Sequence, residues 1–300
     1  MIDNFVSVLM PVYNAEKYLE ESIDSILQQS HFNFEFIIIN DGSNDSSLDI
    51  LNSYSDSRMI IVNNTENLGL IKSLNLGLSL CKGDYIFRMD ADDISSLNRI
   101  EKQLHFMLAS GVDICGTWFT LFKDNICGDI VKHKIGHYEI KFDLIYNSSL
   151  GHPTVAFNRN ILDTYLNNNQ FYSDDFPHAE DYELWTRLIF DCKFDNFPNS
   201  LLLYRVHSTQ VSSVKSDEQV QLSDLIKTTY LNRLFPNNID SNRLLSFFSG
   251  NFFNNYGCVS FLKIYLQLLH SNFTHKQFPV LFFFVKLNKL AFRSFYVCRN

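Results

Sequence analysis

Apolar and polar positions alternate between two periods over the first hundred residues. "FVSVLM" (5–10), "FEFIIIN" (34–40), "RMIIV" (58–62) and "DYIFRM" (84–89) are short apolar runs, the signature of buried strands. Between them, "AEKYLEESIDSILQQ" (15–29) carries Tyr18, Leu19, Ser22, Ile23, Ile26 and Leu27 at helical spacing. "DSSLDILNSY" (45–54) and "GLIKSLNLGLSLC" (69–81) continue the alternation as a second and a third helix. Strands alternating with helices over short connections predict an α/β domain. Its sheet is mostly parallel, Rossmann-like, covered by helices on both faces and built from right-handed crossovers.

The middle of the chain is less regular. "VDICGTWFTLF" (112–122), "PTVAF" (153–157) and "SLLLYRVH" (200–207) read as strands, and "HYEIKFDLIY" (137–146) and "AEDYELWTRLIF" (179–190) as helices. A soft boundary is placed near Ser212. It divides a catalytic domain over 1–212, with halves 1–105 and 106–212, from a helical region over 213–300 rich in Phe, Leu and Tyr. No apolar run reaches the roughly 18 residues needed to span a bilayer; "FPVLFFFV" (278–285) is too short.

Composition narrows the partners. The 300-residue chain has a formal net charge of -8, against the basic footprint that nucleic-acid binding needs. The charge is uneven. From Ser241 onward there is no Asp or Glu, and seven basic residues give +7, so the first 240 residues carry -15. Many Phe and Tyr residues accompany these cations, including Phe252, Phe261, Phe273, Phe284 and Tyr296. Two readings stand for this region: cationic helices lying on an anionic membrane surface, or an add-on packing its Phe residues on the catalytic domain or a second subunit. Six dispersed cysteines without a CxxC pair read as free thiols. With no basic, apolar and small-residue leader at the N-terminus, a cytoplasmic location is expected.

Candidate chemistry gathers where the strands end. In open parallel sheets, ligands bind outside the carboxyl ends of the strands. Here those ends read "PVYN" (11–14), "NDGSND" (40–45), "NNTENLG" (63–69) and "DADD" (90–93). Turns need Asn, Asp and Gly for their own sake, so any one of these is ordinary turn chemistry; four in register imply a site. "DADD" places three carboxylates in four positions, where they repel one another. In an extended segment Asp90 and Asp92 point to one side and Asp93 to the other. Mn²⁺ or Mg²⁺ would neutralise the first two, with diphosphate oxygens on its far side. The competing reading has Asp93 capping a helix that starts near Ser95 and Asp90 closing a strand.

At this point the chain resembles the family 2 glycosyltransferases of the GT-A fold, bacterial enzymes of O-antigen, capsule and related polysaccharide synthesis. The resemblance rests on "SVLMPVYNAEKYLEESIDSILQQS", "FEFIIINDGSNDSS", "NLGLIKSLNLGLSLCKGDYIFRMDADDIS" and "AEDYELWTRL", in this order, over residues 5 to 212. It implies a UDP-sugar donor and a saccharide acceptor, commonly lipid-linked at the inner membrane. Pro11 and Tyr13 then flank the base, with Tyr13 placed to stack on it. Asp41 accepts from the base imide, although Asn40 stands where the family often has a second Asp. Lys72 lies in a segment that often carries a basic residue near the nucleotide. Asp90, Ala91 and Asp92 match the DxD motif, the first carboxylate towards the ribose and the second on the metal.

The same resemblance makes Asp181 of "HAEDYELW" (178–185) the base of an inverting transfer, with Glu180 beside it near the acceptor. From the residues alone, these acids suit the first turn of a helix better than a catalytic role. "YRVHSTQVS" (204–212) matches an Arg-x-His element. His207 is a candidate metal ligand and Arg205 a candidate diphosphate contact, unless the segment is an exposed edge strand. His152 in "GHPTVAF" lines the site or serves its loop. A non-catalytic nucleotide-sugar-binding subunit is the alternative function. A dehydrogenase is disfavoured because no GxGxxG follows the first strand.

Overall fold

The computed structural model describes residues 4–165, 170–207, 217–236, 240–249 and 252–297. It divides into two compact units, one of residues 1–140 and 148–215, the other of 141–147 and 216–300. The boundary expected at Ser212 lies outside the described residues.

The first unit is built on one mixed sheet. Its strands are β1 (Val6–Val12), β2 (Phe34–Asn40), β3 (Met59–Asn63), β4 (Tyr85–Arg88), β5 (Ile94–Ser95), β6 (Ile114–Lys123), β7 (Ile126–Val131), β8 (Ala156–Asn158) and β9 (Phe194–Arg205). Their order is β3-β2-β1-β4-β8-β6-β9-β5, with β7 also on β6. β1 to β4 are all parallel, so their carboxyl ends share one edge. The parallel rule stops there: β8 is antiparallel to β4 and β6, β5 is antiparallel to β9, and only β6 and β9 pair parallel in the second half. β9 lies between β6 and β5, so the Arg205 strand is not an edge.

The connecting helices are α1 (Leu19–Leu27), α2 (Ser47–Ser53), α3 (Leu70–Leu80) and α4 (Arg99–Ser110). Side chains on a strand alternate between faces. Val6, Val8, Met10 and Val12 of β1 pack in one core with Leu19, Ile23 and Ile26 of α1, Leu51 of α2 and Ile100, Leu104 and Met107 of α4. Leu9 and Ile39 point the other way, towards α3. A Cβ at Gly77 would lie 2.2 Å from Leu9 Cδ1 and 3.2 Å from Ile39 Cγ1. Gly77 therefore sets how closely α3 can approach the sheet. β2 is buried along its whole length and mostly apolar, and its Glu35 is satisfied by the Ser7 hydroxyl and the Lys82 N–H.

Several elements differ from expectation. α4, which the competing reading of the acidic segment started near Ser95, begins at Arg99, with Ile100, Leu104 and Met107 at helical spacing; it also runs through the expected division at residue 105. Its start is capped from a distance, because Gln29 Oε1 accepts from Ile100 N at 3.1 Å. The expected strand 153–157 begins as a 3₁₀ turn, His152–Thr154, and pairs only over 156–158. Pro153 has no N–H to give a ladder, which confines it to that turn. The two middle helices are shorter than expected: α5 is His137–Asp143 and α7 is Glu180–Leu188, with α6 (Asn160–Tyr165) between them.

The second unit is helical: α8 (Asp217–Leu234), α9 (Ser241–Phe248), α10 (Phe252–His275) and α11 (Val280–Val297). Its interior is aromatic. Phe142 meets Phe248, Phe278 and Phe282 edge-on at 5.9–6.3 Å, and Phe278 stacks on Phe283 at 5.3 Å. Among the described residues no helix is long and apolar enough to cross a membrane. The cysteines described as free are Cys81, Cys115, Cys127 and Cys192.

Candidate active site

The polar strand ends lace to one another before they face anything else. Asn14 N donates to Ser43 Oγ at 3.0 Å, and Asn14 Oδ1 accepts from Asn44 N at 2.8 Å. Ala15 N donates to Ser47 Oγ and Glu16 N to Asp45 Oδ2. Much of "NDGSND" is thus turn chemistry. Gly42 takes φ +66°, and a Cβ there would lie 2.5 Å from the Glu66 carbonyl carbon, so the second and third loops touch through glycine. Asp41 is buried, and its carboxylate accepts from Asn64 Nδ2 (2.7 Å), Leu68 N (2.9 Å) and Gly69 N (2.9 Å). Two of these donors lie at the amino end of α3, where backbone N–H groups lack helical partners. A carboxylate offers about four acceptor positions, so one remains. Tyr13 stays 46% exposed beside half-buried Pro11, and Lys72 is exposed on α3.

The acidic segment turns rather than extends. Residues 91 and 92 form a turn, and the carboxylate oxygens of Asp90, Asp92 and Asp93 come within 4.8 Å of one another. Asp93, expected to point away, joins the cluster because the turn breaks the two-residue alternation. It caps no helix: its Oδ1 accepts from Arg205 N at 2.9 Å, while its Oδ2 is buried without a partner. Each carboxylate has a different environment. Asp90 pairs with Arg88. Asp92 Oδ2 lies 2.9 Å from His207 Nε2. Burial and the charges of Asp90 and Asp92 push the Asp93 carboxyl well above its ordinary range. Burial raises Asp90 as well, with Arg88 pulling it back.

This turn is held from three sides. The Ser22 hydroxyl reaches the carbonyls of Ala91 (2.8 Å) and Asp93 (2.7 Å). Arg205 Nε donates to the carbonyl of Asp92 at 2.7 Å. The Arg205 guanidinium also pairs with Glu21 and lies 4.3 Å from the Tyr18 ring centre and 5.0 Å from that of Phe122. The head group of Arg205, the candidate diphosphate contact, is engaged by protein here and braces the acidic turn. Tyr18, counted from sequence as a core position, also packs against His207 with ring centres 5.1 Å apart.

A second cluster surrounds Arg88, whose guanidinium is buried in the sheet. The carbonyl of Arg88 accepts from Arg99 Nη2 at 2.9 Å, and burial together with Arg88 lowers Arg99 to about 9. Glu180 and Asp181 open α7. Ser148 Oγ donates to Asp181 Oδ2 at 3.2 Å, and Tyr182 N to its Oδ1 at 2.7 Å. Burial raises the Asp181 carboxyl. Burial and Asp181 raise Glu180 to about 7, with Arg88 opposing and Asp90 adding to the shift. Both acid groups thus share the field of Arg88. His152 is neutral, since burial and Arg88 hold it well below its ordinary value. At 4.0 Å from Glu180 with a neutral ring it forms no ion pair; it contacts Tyr172 Oη at 2.9 Å instead. Asn75 of α3 fixes that tyrosine, accepting from Phe171 N and Tyr172 N at 3.0 Å and donating to the Tyr172 carbonyl at 2.8 Å.

Arg88, Tyr172, Asn75, Ser22 and Tyr18 were not singled out as site residues in the sequence. Arg88 gave one signal, a cation inside an otherwise apolar strand two residues before the acids.

The residues present suit a divalent ion. Bonds of about 2.1 Å at right angles place neighbouring ligand atoms about 3 Å apart. The 2.9 Å between Asp92 Oδ2 and His207 Nε2 matches that spacing, and hard oxygens with one imidazole suit Mn²⁺.

A parallel half-sheet ending in an acidic turn, followed by a mixed half-sheet and a helix opening on two acids, defines a GT-A glycosyltransferase. The model of glycosyl transferase family 2 matches residues 7–166, and the chain belongs to that family. An uncharacterized glycosyltransferase of Haemophilus influenzae is 36% identical over 245 residues, covering 76% of this chain and 75% of that protein. The Escherichia coli protein WfgD, a UDP-Glc:alpha-D-GlcNAc-diphosphoundecaprenol beta-1,3-glucosyltransferase, is 29% identical over 229 residues, covering 75% and 87%. The fold is also that of Staphylococcus aureus TarS 1-349, solved with UDP-GlcNAc, at TM-score 0.64 and 17% identity over 89% of this chain and 79% of that one.

Proposed function

We propose that this glycosyltransferase moves a sugar with inversion from a UDP-sugar to a lipid-linked saccharide acceptor in surface polysaccharide synthesis. The observation that carries the reading is that two acidic groups feel the charge of Arg88: Asp90 of the acidic turn, which pairs with it, and Glu180 and Asp181 at the start of α7. An inverting transfer needs one carboxylate at the acceptor hydroxyl and a polar cradle at the donor diphosphate. WfgD, named for a UDP-Glc donor and a diphosphoundecaprenol acceptor, supports the choice of both substrates.

Asp181 takes the proton from the acceptor hydroxyl as its oxygen attacks the anomeric carbon. Burial raises its basicity, and Ser148 and the Tyr182 amide orient it. Glu180 lies beside it to receive acceptor hydroxyls. Tyr13 offers its exposed ring to the uracil, and Asp41 offers its remaining acceptor position to the base imide. Asp90 faces the ribose, and Asp92 with His207 would hold Mn²⁺ or Mg²⁺. The chemistry such an ion supplies when bound is neutralisation of the departing diphosphate.

The test is Asp181→Asn. Transfer is expected to fall about 10²–10⁴-fold, the worth of a positioned base, while calorimetric UDP binding is retained. Transfer at the normal rate would remove Asp181 from its role. Donor hydrolysis by the unmodified chain separates this reading from a subunit that only binds nucleotide sugars.

A further inference from the structure

The helices α10 and α11 are apolar on two sides. One side packs inward: Phe261, Ile264 and Leu268 of α10, and Phe283 and Leu287 of α11, are buried. The other faces out. On α10, Leu262 (59% exposed), Leu266 and Phe273 (71%) recur at helical spacing; on α11, Val280, Leu281 (76%), Phe284 and Val285 do the same. Between the two helices lies an open groove of about 660 Å³, lined by Leu269, Phe273, Val280, Leu281 and Phe284 among others. Such a helix normally requires cover on both sides, and contiguous exposed apolar surface marks an interaction site.

We infer that the outer face of α10 and α11 docks on an anionic lipid surface. Charge decides the occupant. The stretch from Ser241 to the end has no acid, and Lys263 of α10, Lys289 of α11 and Lys276 of the segment that joins them are exposed. A second copy of the chain, joined face to face, would bring two acid-free surfaces together and repel. An anionic bilayer supplies negative charge and an apolar interior in one partner, and interfacial helices combine these two features. The inference concerns the helical unit and is independent of the transfer reading, although docking would place the chain where lipid-linked acceptors reside.

The test is co-sedimentation of the full chain with vesicles of phosphatidylglycerol and phosphatidylcholine, against vesicles of phosphatidylcholine alone. Binding is expected with the anionic vesicles, falling as salt rises. Phe273→Ser/Leu281→Ser should abolish it, and Lys263→Gln/Lys276→Gln should weaken it about fivefold per lysine. Both variants change exposed side chains, so donor hydrolysis should be unchanged and reports the fold. A chain that stays in the supernatant with anionic vesicles overturns the inference. So does equal binding to both vesicle types. A lipid-free dimer that Leu281→Ser dissociates would assign the face to a second copy instead.

Discussion

Replacing Arg88 by Met tests the centre of the site. The Arg88 guanidinium is 5% exposed and is the partner of Asp90, whose carboxylate is 27% exposed. Removing one member of a buried pair costs about 3–5 kcal/mol, because the other charge is left uncompensated. Asp90 keeps some water, so the lower end applies, about 3 kcal/mol. For a unit of roughly two hundred residues that is a fall in Tm of about 6–12 °C. The direction of the remaining shift is also fixed. Burial already raises Asp90, and Arg88 is the largest influence holding it down. In the variant Asp90 should therefore take up its proton at a higher pH than in the unmodified chain, so donor affinity should fall most at the lower end of the pH range. The assay is a double-mutant cycle with Asp90→Asn, read by thermal melting. Arg88→Met/Asp90→Asn should be at least about 1.5 kcal/mol more stable than the sum of the single costs predicts, since neither charge is then orphaned. Costs that simply add would refute the coupled pair and with it the role of Arg88 in setting the acid groups.

Glu180 gives a pH prediction. Its folded value of about 7 lies above the 4.5 of a free glutamate, so the folded chain binds a proton that the unfolded chain lacks between those values. Stability from this residue is present below pH 4.5 and lost as pH rises through 7. The Tm of Glu180→Gln relative to the unmodified chain should therefore rise from pH 5 to pH 8; a flat difference would contradict the buried acid. Gly77→Val should cost about 1–3 kcal/mol by overpacking against Leu9, seen as a lower melting temperature. His207→Ala should lower Mn²⁺ affinity at least about tenfold by calorimetry in the presence of UDP. Chelation with EDTA should stop transfer, and full activity in EDTA would end the metal assignment.

Local pattern determined a definite part of this protein. Short, largely apolar runs specify strands buried on both faces, and β2 falls at 34–40 as its run predicts, with Phe34, Phe36, Ile37, Ile38 and Ile39 buried between polar turns. Parallel pairing then follows from the intervening helices, and with it the shared edge where Tyr13, Asp41 and Asp92 stand. The second half resisted because its strands pair across long separations. β8 is three residues long, and β5 is two. Such strands are defined by their partners and carry little periodicity of their own.

Tertiary structure alone decided which polar groups are free. Asp41 and Arg205 look equally available in the sequence, yet one already accepts three hydrogen bonds and the other is held between two aromatic rings. Asp93 joins its neighbours because of a turn, and its carboxyl is pushed up because the fold removes water from it. Arg88, Tyr172 and Asn75 converge from positions up to 97 residues apart. Sequence sets which residues can ionise or donate; desolvation and long-range contact, which exist only in the folded chain, set which of them do.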